Sequence, residues 1–366
     1  MSEPIHFVML GGFLGAGKTT LISKLAKRYQ ADGKHVCVVT NDQAAGLVDT
    51  HLLQSQGIEV NEVAGSCFCC NFHGLTDAMT EFETRRRPDV ILAEPVGSCT
   101  DLMATIAMPL MQRMGEQFTH SPYAVILKPS HGLRILSGSG GGFSAKAEYI
   151  FRKQIEEAEV VLINRIDELT SDQVDELAGY LAEQYPAKRI VRVSAKTDEN
   201  LDEVYSIVQS RSEAPAAMME VDYDVYAEGE AELGWLNASL TLVATNPYSL
   251  DEMTMSLVEL IRKALLSKDA EPAHLKVLSS TGGHVSVANL VSSESPAILS
   301  MESGESTSQA SVIVNARVCM SPDTLRPLVE EVLEQIADRF HAVMTVERIE
   351  AFRPGRPVPT YRVTAS

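Results

Sequence analysis

Long apolar runs are missing from this 366-residue chain. No stretch approaches the roughly 18 to 20 residues that a membrane helix needs, and none has the flanks of a secretory signal. Ile5 to Leu10 is too short for either and runs straight into a glycine loop. Positive charge is also scarce: 31 Lys and Arg face 49 Asp and Glu, a net charge of −18. That balance excludes nucleic acid and anionic membrane as the main partner. Cysteine is limited to six residues, of which Cys67, Cys69 and Cys70 fall within four positions. Such crowding argues against a disulfide framework and for a metal or redox site in a reduced, cytoplasmic setting. No internal repeat is present.

What remains is an ordinary globular composition, with 45% hydrophobic and 22% charged residues. The length predicts two domains. In the first half, short apolar segments alternate with helical patterns. Strands are predicted at 5–10, 36–40, 90–93, 123–127, 160–163 and 190–193. Helices are predicted at 18–29, 76–87, 147–158, 171–184 and 200–209. Fully apolar strands alternating with helices indicate an α/β fold, a parallel sheet with helices on both faces. The composition changes near residue 211. Domain boundaries are therefore expected at 1–211, with an acidic linker at 212–233, a smaller α+β domain at 234–352 and a Pro-rich tail at 353–366. In that second domain two amphipathic helices, the first capped by Ser249 with Glu252 and the second opened by Ser321-Pro322, alternate with strands. The pattern predicts an antiparallel sheet with helices on one face. Residues 292–308, rich in Ser and Glu, and the glycine-rich 137–143 read as loops.

Gly12-Phe13-Leu14-Gly15-Ala16-Gly17-Lys18-Thr19 fits G-x-x-x-x-G-K-[ST] at every fixed position, and it lies between a predicted strand and a predicted helix. In such a loop the N–H groups of Gly12, Gly15, Ala16 and Gly17, with Thr20 behind them, surround phosphate oxygens. Lys18 neutralises the β and γ phosphates, and Thr19 can hold Mg²⁺. The strand at 90–93 ends in Glu94-Pro95-Val96-Gly97. Glu94 is placed to act on Mg²⁺ or its water, and Gly97 to offer its N–H to a γ-phosphate. After the strand at 160–163 comes Asn164-Arg165-Ile166-Asp167. A carboxylate such as Asp167 can accept both N1–H and N2–H of guanine and has no matching pair on adenine. Ser194-Ala195-Lys196 follows a further strand and would close over the base. In this order the motifs make GTP the expected nucleotide.

Cys67-Phe68-Cys69-Cys70 lies between Gly65 and Gly74, which marks a loop. An extended strand would send Cys70 to the face opposite Cys67 and Cys69, whereas a turn converges all three sulfurs. Three thiolates suit Zn²⁺ or another thiophilic ion and leave one position open. Glu62, His73, His51 and Asp42 are the candidate fourth ligands. A buried or redox-sensing thiol cluster is the alternative. Cys37, in a predicted buried strand, reads as packing and Cys319 as structural. The role of Cys99, after the Glu94 loop, stays open.

Together these residues resemble the CobW-type family of P-loop GTPases, relatives of the nickel-delivery GTPases UreG and HypB. The resemblance runs over residues 5–210 and rests on the phosphate loop, Asn41-Asp42, C-x-C-C, E-x-x-G, N-[KR]-x-D and S-A-K. It implies a P-loop NTPase sheet, a metal at C-x-C-C, zinc or cobalt as that metal, and delivery to a client metalloprotein under control of GTP hydrolysis. Asn41 and Asp42 fall where the family has a switch I segment ending in an acid. Three positions depart from the family pattern: Arg165 replaces Lys, Lys128-Pro129-Ser130 replaces an acidic turn, and the nine His are scattered where the family often has a His-rich tract.

The expected activity is slow GTP hydrolysis. Lys18 and Mg²⁺ would stabilise the transferred phosphoryl group, and Glu94 or Asp42 would orient the water. No arginine finger is identifiable, so a client or the second protomer of a homodimer is the expected source of the missing charge. Two other readings fit the same residues. One is a GTP-dependent assembly or switch protein for a corrinoid enzyme, and the other is a redox or zinc sensor that changes partner affinity without metal transfer.

Overall fold

The computed structural model describes residues 3–43, 46–138, 144–212, 218–292 and 295–364. The glycine-rich stretch expected as a loop falls largely outside them. The chain divides into two compact units. The first holds residues 1–45, 57–229 and 356–366, and the second holds 46–56 and 230–355.

The first unit contains β1 (Ile5–Gly11), α1 (Lys18–Ala31) and β2 (Val36–Asn41). The chain then leaves for α2 (Val48–Ser55), which belongs to the second unit, and returns at β3 (Glu59–Val63). There follow α3 (Phe72–Arg86), β4 (Val90–Glu94), α4 (Met108–Met114), β5 (Phe118–His120), β6 (Ala124–Leu127) and α5 (Pro129–Leu136). Next come α6 (Ala145–Glu157), β7 (Val160–Ile163), α7 (Ser171–Gln184), β8 (Arg189–Arg192), α8 (Leu201–Gln209) and α9 (Tyr223–Glu230).

The strands form a parallel sheet in the order β3-β2-β4-β1-β6-β7-β8, with β5 paired to β1. β2, β4, β6 and β7 are buried at every position, as their unbroken apolar sequences require, while β8 at the edge is largely exposed. The register aligns Thr40 with Glu94 and Leu127 with Ile163, so the carboxyl ends of β2, β4, β6 and β7 lie on one edge. Ligands of open α/β sheets bind there. Thr170 and Gln173 form a reciprocal cap at the start of α7, which explains why that helix begins where its sequence predicts.

The second unit is built from β9 (Gly234–Ser249), α10 (Leu250–Leu266), β10 (Pro272–Thr281), β11 (His284–Leu290), β12 (Ile298–Met301), β13 (Ser306–Val318), α11 (Pro322–Arg339) and β14 (Ala342–Phe352). Its antiparallel sheet has the order β12-β11-β10-β13-β9-β14. α10 and α11 pack on one face through Met253, Leu257, Ile261, Leu325, Val329 and Ile336. Alternation along β10 turns Leu278 to the other face, where it packs with Val48 of α2 and Val287. Val48 N–H also donates to Asn315 Oδ1 at 2.8 Å, and Asp49 pairs with Lys276. The expected arrangement of helices on one face therefore gains a helix on the other, contributed by a segment that ends at Ser55, 179 residues before the sheet's first strand begins at Gly234.

Three sequence expectations shift. The segment at 292–308 carries β12 and the start of β13, because Ile298 to Met301 pairs with β11. Part of the acidic stretch at 212–233 is helical: Asp222 Oδ1 accepts from Asp224 and Val225 N–H at the start of α9. Residues 356–366 of the Pro-rich tail belong to the first unit, not to a free end.

Candidate nucleotide and metal site

The phosphate loop joins β1 to α1. Lys18 is buried and its Nζ donates to Gly12 O at 2.8 Å and Phe13 O at 3.4 Å, the loop's own carbonyls. Gly17 has φ 94° and no room for a side chain, since a Cβ there would meet Asn164 Nδ2 at 2.5 Å. Thr20 faces outward on α1. Thr19 Oγ1 donates to Glu94 Oε1 at 2.9 Å, with both side chains buried. The sheet order explains the pair, since β4 lies directly beside β1. A hydroxyl and a carboxylate side by side below a phosphate loop are hard oxygen donors of the kind Mg²⁺ takes, so these residues fit that ion.

Past Glu94 the chain runs against the loop it faces. A Cβ on Gly97 would lie 2.9 Å from Lys18 Nζ and 2.8 Å from Leu14 Cδ2. Gln154 of α6, fully buried, donates to Gly97 O at 3.0 Å and Cys99 O at 2.8 Å and so fixes this segment. Three residues further along α6, Glu157 accepts from Met103 N–H at 2.5 Å. Burial pushes its carboxyl up to about 8.

Base-site candidates converge through one residue. Asn164 Nδ2 donates to Ala16 O at 2.8 Å and its Oδ1 accepts from Ala195 N–H at 3.0 Å, which ties the phosphate loop to the Ser194-Ala195-Lys196 loop. Ser194 Oγ donates to Asp167 Oδ1 at 2.6 Å, while Asp167 and Lys196 are exposed. Arg165, in the left-handed region at φ 62°, reaches Gly15 O at 3.1 Å and Glu168 at 2.7 Å. At the position where Lys is typical, its guanidinium is thus bonded to the phosphate loop itself.

The cysteine loop is a turn. Cys70 N–H and Asn71 N–H both donate to Cys67 O, and Asn71 caps α3 by accepting from Gly74 N–H. The turn brings the sulfurs together: Cys67 lies 3.1 Å from Cys69 and 3.2 Å from Cys70, and Cys69 lies 3.7 Å from Cys70. Tetrahedral thiolates about 2.3 Å from one zinc ion would stand slightly under 4 Å apart, so small movements admit the ion. Bonds to Cys67, Cys70 and Cys99, together with burial, hold the Cys69 thiol well above its ordinary range. The Cys67 contact is the main reason Cys70 is pushed up to about 11. A metal entering the turn must therefore displace protons from these thiols.

The turn is anchored by other parts of the chain. Asn41, at the end of β2, donates from Nδ2 to Val63 O and Ser66 O at 2.8 Å each and accepts Phe68 N–H on Oδ1 at 2.8 Å. Asp42 beside it is buried, with its N–H on Val63 O. Val358 N–H donates to Cys70 Sγ at 3.2 Å, Thr360 N–H to Cys69 O at 2.8 Å, and the Thr360 hydroxyl to Cys70 O at 3.0 Å. Tyr361 stacks edge-on to Phe72 and lies under the Arg113 guanidinium, and Arg362 pairs with Asp101 at 2.6 Å. The tail thus binds the cysteine turn and the segment after β4 at once.

Of the candidate fourth ligands, none joins the three sulfurs within 4.8 Å among the described residues, and His51 belongs to the second unit. His73 faces the Tyr361 hydroxyl at 3.3 Å. Cys99 is the further thiol beside the turn, a hydrogen-bond neighbour of Cys69 that does not itself join the three sulfurs within 4.8 Å. The position of Cys99 two residues after Gly97 was the sequence signal for it. The tail left none, because its contacts, backbone and side chain alike, join residues some 250 to 290 positions apart.

The nucleotide-binding domain of the CobW/HypB/UreG family matches residues 6–192. A zinc chaperone CobW of Sinorhizobium is 35% identical over 101 residues, 25% of this chain and 28% of its own. Zinc chaperone YjiA of Escherichia coli is 32% identical over 80 residues, covering 22% and 24%. A zinc chaperone CobW of Pseudomonas aeruginosa is 26% identical over 223 residues, covering 57% of each. The chain thus spans between about a quarter and somewhat over half of the length of these curated relatives. Among solved structures, nickel-bound HypB of Helicobacter pylori is 16% identical with a TM-score of 0.41, covering 58% of this chain and 92% of that one. No described helix is long and apolar enough to cross a membrane.

Proposed function

The chain belongs to the CobW/HypB/UreG family, and from that premise we propose that it is a GTP-hydrolysing metallochaperone. It takes a transition metal at Cys67, Cys69 and Cys70 and passes it to a client metalloprotein. Zinc is the ion we favour over cobalt, because three thiolates suit it and the curated relatives are named zinc chaperones.

The observation that carries the proposal is the segment after β4. Its Gly97 lies against Lys18 and its Cys99 is bonded to Cys69. Donation from Gly97 N–H to a γ-phosphate would move the chain two residues from Cys99, the thiol beside the metal turn. Nucleotide state and metal affinity then share one short piece of backbone.

In this reading Lys18 and the loop amides hold the phosphates. Asp167 reads guanine, with Asn164, Ser194, Ala195 and Lys196 around the base. Mg²⁺ held by Thr19 and Glu94 would neutralise phosphate charge. Glu94 or Asp42 orients the attacking water. Arg165, the arginine bonded to the phosphate loop, is paired with Glu168, so turnover is expected to be slow until a client, or a second protomer, supplies charge.

Zinc competition titration with and without a non-hydrolysable GTP analogue and Mg²⁺ tests the reading. Affinity should rise about tenfold with nucleotide, which is about 1.4 kcal/mol of coupling. Cys67→Ser should abolish binding at the turn, and Lys18→Ala should abolish the rise alone. Equal affinity in both states would overturn the coupling.

A further inference from the structure

At the opposite end of β2 a second set of metal-binding atoms converges. His35 precedes the strand, Cys37 is its second residue, and Glu59 opens β3, paired in register with Cys37. His35 Nε2 lies 3.2 Å from Glu59 Oε2 and 3.9 Å from Cys37 Sγ, and all three donor atoms fall within 4.8 Å of one another. Bonds of about 2.0 Å to nitrogen and oxygen and about 2.3 Å to sulfur, at tetrahedral angles, place such donors roughly 3.3 to 3.6 Å apart. The cluster is already close to that spacing.

The imidazole is also oriented as a ligand. Its Nδ1 lies 3.2 Å from Arg87 O, so it carries the proton and donates to that carbonyl. With Nδ1–H held by that carbonyl, Nε2 is the ring atom that would turn its lone pair to an ion, in place of its contact with Glu59. A ligating histidine usually has this outer hydrogen bond to a carbonyl or carboxylate. The His35 backbone is itself held, its N–H on Asp89 Oδ2 at 2.7 Å. Cys37 is buried, His35 is half-buried, and the Glu59 side chain remains 35% exposed, which gives an ion a route in and a solvent-facing fourth position.

We propose that His35, Cys37 and Glu59 form a second site for a borderline divalent ion, with Zn²⁺ as the best fit. It lies four residues along β2 from Asn41, about 13 Å at about 3.3 Å per residue, and shares no ligand with the cysteine turn. One thiolate and one carboxylate balance the dication. Burial and the Glu59 carboxylate now hold the Cys37 thiol well up, so binding displaces a proton from it. With water or an outside donor in the fourth position, the ion exchanges more readily than one held by four side chains. Bound there, it would also tie β2 to the edge strand β3. The site does not depend on nucleotide, and it stands or falls separately from the proposed chaperone cycle.

The test uses the full chain with Cys67, Cys69 and Cys70 all changed to Ser, titrated with Zn²⁺ against a chromogenic chelator and with Co²⁺ by absorption. The variant should bind one ion, the wild type one more, and the variant's affinity should not change with GTP. Co²⁺ should show tetrahedral bands with a single-thiolate charge-transfer band. His35→Gln and Glu59→Gln, both at partly exposed positions, should each weaken that ion about a hundredfold or more. Cys37→Ser should remove the charge-transfer band. Absence of a bound ion in the triple Ser variant would overturn the proposal. So would an ion whose affinity survives both His35→Gln and Glu59→Gln while apo melting curves match.

Discussion

The phosphate loop and the cysteine turn stand at the same edge of one sheet, yet they are made in different ways. The phosphate loop is nearly complete in one sequence stretch: eight consecutive residues supply the backbone amides, the lysine and the hydroxyl, and Lys18 bonds to carbonyls five and six residues away. The cysteine turn has its sulfurs in four consecutive residues but is held by Asn41, by the segment carrying Cys99 and by Val358 to Arg362. A phosphate needs amides and charge, which a glycine loop and a helix start provide locally. A transition metal that must be released needs ligands whose positions can change, and distant segments can supply that.

The predictions set these two constructions against each other. The largest effect is expected on the shared segment after β4. Glu157 holds it, with an ordinary pKa of 4.5 and a folded value of about 8. Stability relative to the charged form is therefore fully present below about pH 4.5 and lost as pH rises through about 8. The ceiling is about 5 kcal/mol at about 1.4 kcal/mol per unit. Glu157→Gln keeps the acceptor for Met103 N–H and removes the charge. It should raise the melting temperature at pH 9 and leave it nearly unchanged at pH 4; a parallel shift at both would show that Glu157 is not the titrating group.

Lys18→Ala comes next. It should cut GTP turnover by about 10²- to 10³-fold while nucleotide-free zinc affinity stays at the wild-type value. A loss of zinc affinity in that variant would mean the two sites are not separately built. Cys99→Ala should do the reverse, removing the roughly tenfold nucleotide-linked rise and leaving turnover in place. Zinc affinity that still responds to nucleotide in Cys99→Ala would move the coupling elsewhere. The smallest effect is reserved for Val358→Pro. Proline continues the extended tail but cannot donate to Cys70 Sγ. Stopped-flow chelator capture should show zinc leaving up to about tenfold faster, the equivalent of one charge-assisted hydrogen bond; an unchanged rate would make the tail a structural strap only.

Much of this site could be read without coordinates, for identifiable reasons. Thr19 and Glu94 pair because the strands that end in their loops are neighbours, and apolar runs of four to six residues between helices already imply that kind of sheet. Asn164 was visible as part of a motif, although its bridge from Ala16 to Ala195 was not. Cys37 was read as packing. It is buried, but that reading missed His35 and Glu59, because the three meet only once β2 and β3 pair. α2 and β12 escaped notice since neither carries a long apolar period; each is fixed by the sheet it packs on or joins.

The sequence by itself determined the phosphate loop, the grouping of the three cysteines, the parallel sheet and the two amphipathic helices of the second unit. In each the deciding interactions lie within a few residues or repeat at a helix or strand period. Only the tertiary structure decided that Cys99 touches Cys69, that the tail binds the turn, that residues 46–56 build part of the second sheet's covering, and that His35, Cys37 and Glu59 converge. Those contacts join residues between two and almost 300 positions apart, and nearly all depend on which strands become neighbours or on backbone donors that carry no sequence signature.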